Sequence, residues 1–270
     1  MTGRHPLVGA LSAVALTFLL GPILLVVGVA FTAGDTIEFP PRGLSLRWFA
    51  QALSYGPFLE ALRTSLLVAT AGTVLALALG LPVALALGRG GARPRGAIGT
   101  LFTLPVVVPE LVLGYALFQI LMVTFRVSAF GALLAGHTVL LLPYAVRVTG
   151  SSLAQADRSL EEAARGLGAG GWATFTRVTL PVIAPGVVAA CVLSLVTSFN
   201  NVPLSLLLNG PGTTTLPVAM LHHVEFAFDP LVAAVCTLLL VLAVAVMLVT
   251  ERLAGFTDVF ARQEADRWRP

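Results

Sequence analysis

Residues Glu161–Pro181 read EEAARGLGAGGWATFTRVTLP, a polar stretch of acids, arginines and glycines closed by a proline and set between long apolar runs. Its surroundings decide the fold class. The chain has 270 residues, 57% of them hydrophobic and 11% charged, where a soluble domain carries about 25% charge. The deficit lies in uncharged runs: Pro6–Gly34, Thr64–Gly88, Val127–Val146, Val178–Val224 and Pro230–Thr250, with Gly96–Phe125 holding Glu110 as its one charged residue. A membrane-spanning helix needs roughly 20 mostly apolar residues. The runs therefore predict an all-α polytopic membrane protein with six spans, at about 7–31, 62–87, 98–124, 131–148, 182–207 and 231–250. Residues 149–180 are the longest polar segment between spans. The whole chain, 1–270, reads as one membrane domain with no soluble domain attached.

Arginine distribution sets the expected orientation. There is no lysine, and twelve of the sixteen arginines fall on one side (Arg4, Arg89, Arg93, Arg95, Arg147, Arg158, Arg165, Arg177, Arg252, Arg262, Arg267 and Arg269). Arg42, Arg47, Arg63 and Arg126 fall on the other. The positive-inside rule places both termini and segment 149–180 in the cytoplasm. The basic balance thus reports topology, and no nucleic-acid partner is expected. The first apolar run exceeds the ~7–15 residues of a signal-peptide core, so it is expected to stay as a span. Cys191 and Cys236 lie in different spans without metal-ligand spacing and read as packing residues. On the outer side, FPPRGLSLRWF (39–49) combines a Pro/Gly turn with Leu44, Leu46, Trp48 and Phe49 as a short amphipathic piece.

Ser159 followed by Glu162 has the spacing of a capping box, so a helix is expected to start at Ser159. Glu161 and Glu162 suit its positive N-terminus. Gly168 can take the left-handed conformation that closes a helix. Leu160, Ala163, Ala164 and Leu167 share one narrow face of it. A second helical piece is expected at Trp172–Thr179, with Trp172, Phe175 and Val178 on one side, before Pro181 opens span five. On composition alone this is an interfacial segment lying on lipid.

The spacing carries more than composition does. Glu162-Ala163-Ala164, three residues, Gly168, nine residues, Val178, one residue, Leu180-Pro181 resembles the EAA motif of binding-protein-dependent ABC importer permeases, with Val where Ile is customary. LPVVVPELVLG (104–114) and SFNNVPLSLLLNGPGTTTLP (198–217) extend the resemblance to the spermidine/putrescine-type branch and to nearly the whole chain. It implies a type I importer permease architecture. It also implies a coupling helix in which Ser159, Glu162, Ala163, Ala164, Gly168, Leu180 and Pro181 form the ATPase-contacting segment. The implied partners are a second permease, like or unlike, two ABC ATPase subunits and a solute-binding protein delivering a polyamine-like or other small organic solute. One departure bears on substrate: polyamine permeases often carry an acidic pair where this chain has Asn200-Asn201.

Glu110 is the one acid inside a span. At 1.5 Å per residue from Leu101 it sits roughly 13–14 Å into a core about 30 Å thick. An acid there faces the bundle interior or water. It is a candidate path residue, or equally a structural acid bonded to a neighbouring helix. Pro105 and Pro109 permit a bend before it. Asn200 and Asn201 are costly in lipid unless bonded, and adjacent helical positions diverge by about 100°. One is expected to line the path while the other bonds a partner helix. His137 reads as a bonded structural histidine. His222 and His223, near Glu225 and Asp229, diverge too far to predict a metal site and instead suggest a contact with a docking protein. A P-loop needs a lysine on the phosphates, and this chain has none. No nucleophile–base pair stands out either. No catalytic residue, metal or cofactor is expected in the chain, which reads as a transport subunit whose ATPase is a separate protein. A stand-alone secondary transporter or channel is the competing reading.

Overall fold

A computed structural model describes residues 6–89, 95–245 and 247–248. The topological votes of Arg4, Arg93, Arg252, Arg262, Arg267 and Arg269, and the last residues of span six, lie outside them. The described residues form helices, with two isolated β-bridges (Thr32 with Leu44, Gly210 with Thr213). The helices are α1 Pro6–Ala30, α2 Arg47–Ala52, α3 Gly56–Arg89, α4 Arg95–Thr103, α5 Glu110–Leu117, α6 Ala129–Gln155, α7 Arg158–Gly166, α8 Gly171–Thr174, α9 Leu180–Phe199, α10 Pro203–Leu208, α11 Leu216–Phe226 and α12 Leu231–Ala245.

Among the described residues, four helical stretches are long and apolar enough to cross a membrane: Gly9–Ala30, Gly56–Arg89, Ala129–Gln155 and Gly171–Phe199. The expected span 98–124 is instead two pieces, Gly96–Val106 and Glu110–Thr124, bent by 98°. Pro105 and Pro109 supply the cause, since each removes a backbone donor and Pro109 disfavours helix at Val108. The expected span 182–207 ends early: α9 stops at Phe199 and α10 begins at Pro203. At its other end there is no break before Pro181. α8 passes through a π turn, Phe175–Thr179, straight into α9. Pro181 sits in the first turn of α9, and the wider π turn just before it lets the helix run on. The sixth expected span appears as the shorter apolar helix α12.

The chain divides into two compact units, one of residues 57–221 and one of the segments up to Gly56 and from His222 onward. In the first unit the packing of α3 on α6 rests on small residues. Gly72, Ala76, Gly80 and Ala84 recur every fourth position along α3 and are all buried. In lipid no hydrophobic drive pushes helices together, so close approach and van der Waals contact must do so. A Cβ on Gly80 would lie 2.6 Å from the Ala145 Cβ, and one on Gly186 of α9 would lie 2.2 Å from the Ser152 Cβ of α6. Gly80→Ala is therefore expected to cost about 1–3 kcal/mol by overpacking. It should be read as a lowered thermal midpoint of the purified assembly, and an unchanged midpoint would contradict this packing. Val68, Ala132, Leu133, Leu140, Leu204 and Leu208 form an apolar cluster joining α3, α6 and α10.

In the second unit the expected amphipathic piece at 39–49 is helical only from Arg47, where α2 begins. The Trp48 indole N–H donates to the Gly34 carbonyl at 3.2 Å, and the Arg47 guanidinium stacks 4.6 Å over the Trp48 ring. Trp48 is thereby buried, while Leu44 and Leu46 remain exposed. His223 contacts both Asp229 carboxyl oxygens at 3.1 and 3.2 Å, and Asp229 accepts the Leu231 amide at the start of α12. His222 and Glu225 are exposed.

Candidate functional site

Two places in the 57–221 unit gather the residues singled out from the sequence. The first is α7. Its start corrects the expected capping box: the helix begins at Arg158, and Asp157 is the cap, its carboxyl accepting the Ser159 amide at 2.9 Å. The bonds from the Ser159 amide and hydroxyl hold the Asp157 carboxyl below the usual carboxylate range. Ser159 is thus the donor, and Glu162 pairs instead with Arg158 at 3.4 Å. The C-terminus forms as expected. Gly168 has φ +87°, its amide donates to the Arg165 carbonyl and the Ala169 amide to the Ala164 carbonyl. These two bonds make a Schellman cap, which demands a residue tolerant of positive φ.

The faces of α7 differ sharply. Leu160, Ala163 and Leu167 are exposed, Leu167 by 90%, although two of them are leucines. Glu161, one position round the helix, is buried, and its Oε1 accepts from Arg89 Nε at 3.1 Å. Sequence reasoning missed that pair, because 72 residues separate the partners. Glu161 is the one buried residue of α7: Ala164 is half-buried, and Arg158, Glu162 and Arg165 are exposed along with Leu160, Ala163 and Leu167, so the helix is not folded by its apolar face against a core. Trp172 and Phe175 stack with ring centroids 5.6 Å apart, Trp172 being 77% exposed. Leu180 is half-buried, and Pro181 is exposed in the first turn of α9.

The second place is where the two broken spans meet. Glu110 is the first residue of α5, immediately after the bend, where a carboxyl also suits the helix N-terminus. Asn201 lies in the break between α9 and α10 and is buried. Its Nδ2 donates to Glu110 Oε2 at 2.7 Å, while its Oδ1 accepts the amides of Leu204 and Ser205 and so caps α10. One side chain thus links both breaks. His137 of α6 spans the same gap: Nδ1 lies 2.7 Å from Ser198 Oγ of α9 and Nε2 lies 3.0 Å from Ser205 Oγ of α10. Each serine hydroxyl can donate or accept, so both ring nitrogens are satisfied in either neutral tautomer. Asn200 is exposed and takes no part. Irregular backbone at membrane depth persists only where it is buried in protein or lines a water-filled cavity, and at the second break Asn201 Oδ1 satisfies two of the freed amides, those of Leu204 and Ser205.

The comparisons with known proteins bear on both places. The model of the family described as "Binding-protein-dependent transport system inner membrane component" matches residues 76–255, a span that contains Arg89, Glu110, His137, α7 and Asn201. This chain belongs to that family. The putrescine transport system permease protein PotI of Escherichia coli K12 is 31% identical over 232 residues, covering 83% of this chain and 82% of PotI. A putative 2-aminoethylphosphonate transport system permease protein, PhnV of Salmonella paratyphi A, is 30% identical, covering 79% of this chain and 81% of that one. A crystal structure of a bacterial ABC transporter that imports alginate superposes with a TM-score of 0.70 at 15% identity, covering 93% of this chain and 98% of that one. The permease is therefore a multi-pass inner-membrane component of an ABC importer, with the fold of such subunits. It is not an enzyme, and the reading as a stand-alone transporter or channel falls. ATP hydrolysis belongs to another subunit, and solute reaches the importer through a binding protein.

Proposed function

We propose that α7 is the surface through which an ATPase subunit drives this permease, and that Glu110 and Asn201 stand at the path it opens and closes. The observation that carries the first part is the outward apolar face of Leu160, Ala163 and Leu167 on a helix capped at both ends. The arginine count supports a cytoplasmic position for α7 and for both termini. The permease then pairs with a second permease, like or unlike, above two ATPase subunits. The solute-binding protein docks on the opposite side, over segments 32–56 and 209–230. Closure of the ATPases draws the two coupling helices together and flips the path between inward- and outward-facing states. The chain itself carries no cofactor and no covalent chemistry.

For the path, the joined breaks are the supporting feature: a carboxyl and a carboxamide held together between discontinuous helices, where membrane transporters place solute sites. The printed names of the relatives point to putrescine in one and 2-aminoethylphosphonate in the other, and those two solutes share an amino group. A small organic ammonium is the class that Glu110 suits. The importer reconstituted in proteoliposomes with its partner subunits should take up labelled putrescine or 2-aminoethylphosphonate only when ATP and the binding protein are present. Uptake confined to solutes lacking an amine would overturn the substrate class.

A further inference from the structure

We propose that Arg89 is a positioning residue that makes α7 and α3 move together, so that nucleotide events at the ATPase reach the far end of α3. Three elements converge on this one guanidinium. It stands on the last residue of α3, where a cation suits the helix C-terminus. Its Nε donates to Glu161 of α7 at 3.1 Å, and a terminal nitrogen donates to the Ala156 carbonyl at 3.3 Å, at the end of α6. Only Ala156 and Asp157 separate α6 from α7 along the chain. Without Arg89, a displacement of α7 would pass to the membrane helices through that short extended link and through the π turn beside α8.

Burial separates this pair from the others. The Arg89 and Glu161 side chains are 18% and 8% exposed. The remaining arginine–carboxylate pairs among the described residues (Arg42–Glu38, Arg47–Asp35 and Arg158–Glu162) are each more than 40% exposed on both partners. Exposed pairs hold little, whereas a buried charge that loses its partner is costly. Glu161 and Glu162 are therefore different residues in function despite their adjacency. The inner acid ties α7 to its own chain, and the outer one lies beside the docking face. Beyond Arg89, α3 is locked to α6 by the buried stripe from Gly72 to Ala84. A pull at Arg89 is thus carried along a helix of 34 residues, about 51 Å at 1.5 Å per residue.

The inference rests on α7 being the ATPase contact, and its test keeps the two apart. The intact importer, with both permeases and both ATPases, carries Glu60→Cys near the far end of α3 in a Cys191→Ser, Cys236→Ser background. Glu60 is exposed. The maleimide labelling rate is compared without nucleotide and with ATP plus vanadate. The expected result is a nucleotide-dependent rate that Glu161→Gln reduces about tenfold, within ordinary coupling energies, with ATPase binding and trapped nucleotide unchanged. The charge swap Arg89→Glu with Glu161→Arg should restore at least half of the difference. A nucleotide-independent rate in the parent overturns the proposal. So does an unchanged response in Glu161→Gln, a swap no better than that variant, or loss of the ATPase in Glu161→Gln, which would make the pair a fold element. Leu167→Glu is run alongside. If it keeps the ATPase bound, the docking reading itself fails; if it sheds the ATPase while Glu161→Gln responds normally, only the role of Arg89 fails.

Discussion

Leu167→Glu combined with Ala163→Arg is expected to strip the ATPase from the purified importer and to lower ATP-driven uptake by at least 100-fold, with the permease still present in the membrane. Both side chains are exposed in this chain, Leu167 by 90%, so neither substitution disturbs the permease's own packing. In the assembly Leu167 would be an apolar anchor. Burying a leucine contributes about 1.5–3 kcal/mol, and seating an unpaired carboxylate in its place adds a desolvation cost. A combined loss of about 3–4 kcal/mol matches the size of interface hot spots and corresponds to a 100- to 1,000-fold weaker contact. Co-purification of a tagged permease reads this directly. An ATPase that remains at full stoichiometry would remove the docking assignment.

Glu110→Ala is expected to lower uptake by about 100-fold, and Glu110→Gln by about tenfold. The two substitutions separate two roles. Alanine orphans the Asn201 Nδ2, which now donates to Glu110 Oε2 at 2.7 Å. An unsatisfied buried donor costs about 1–3 kcal/mol, and here it would loosen the cap on α10 as well. Glutamine keeps an acceptor for Asn201 and removes only the acid. A Gln variant that assembles normally but transports an ammonium solute poorly marks a path residue. A Gln variant with full uptake marks Glu110 as a structural partner of Asn201, one of the two readings left open by its position in the sequence.

Much of this was legible in sequence, and the misses have physical causes. Apolar runs located four of the expected spans as single long helices, because span length is set by bilayer thickness. Gly168 was readable because one backbone position required a left-handed residue. The start of α7 was not, because Asp157 and Ser159 are both good caps and lie two residues apart, and only the extended backbone at Asp157 decides between them. Pro105 and Pro109 announced a bend, but its 98° depends on what α5 packs against. There, Gly114 lets the α10 backbone come so close that an added Cβ would lie 3.3 Å from the Leu204 Cα. Asn200 and Asn201 were expected to diverge as neighbours on one helix, one on the path and one bonded; the helix instead ends at Phe199, and it is the break that turns Asn201 inward and leaves Asn200 exposed. That the partner would be Glu110, 91 residues away, is a tertiary fact with no local signature. The same holds for Arg89 with Glu161 and for His137 bridging Ser198 and Ser205.

The most direct test of the central claim is site-specific photocrosslinking from the apolar face of α7. With a photoreactive phenylalanine at Leu167, irradiation of membranes holding the whole importer should give a single adduct whose mass is permease plus ATPase. The same group at Leu46, exposed on α2's approach and on the opposite side of the membrane in this account, should give none with the ATPase. Adducts at Leu167 confined to lipid, or an ATPase adduct from Leu46, would contradict it.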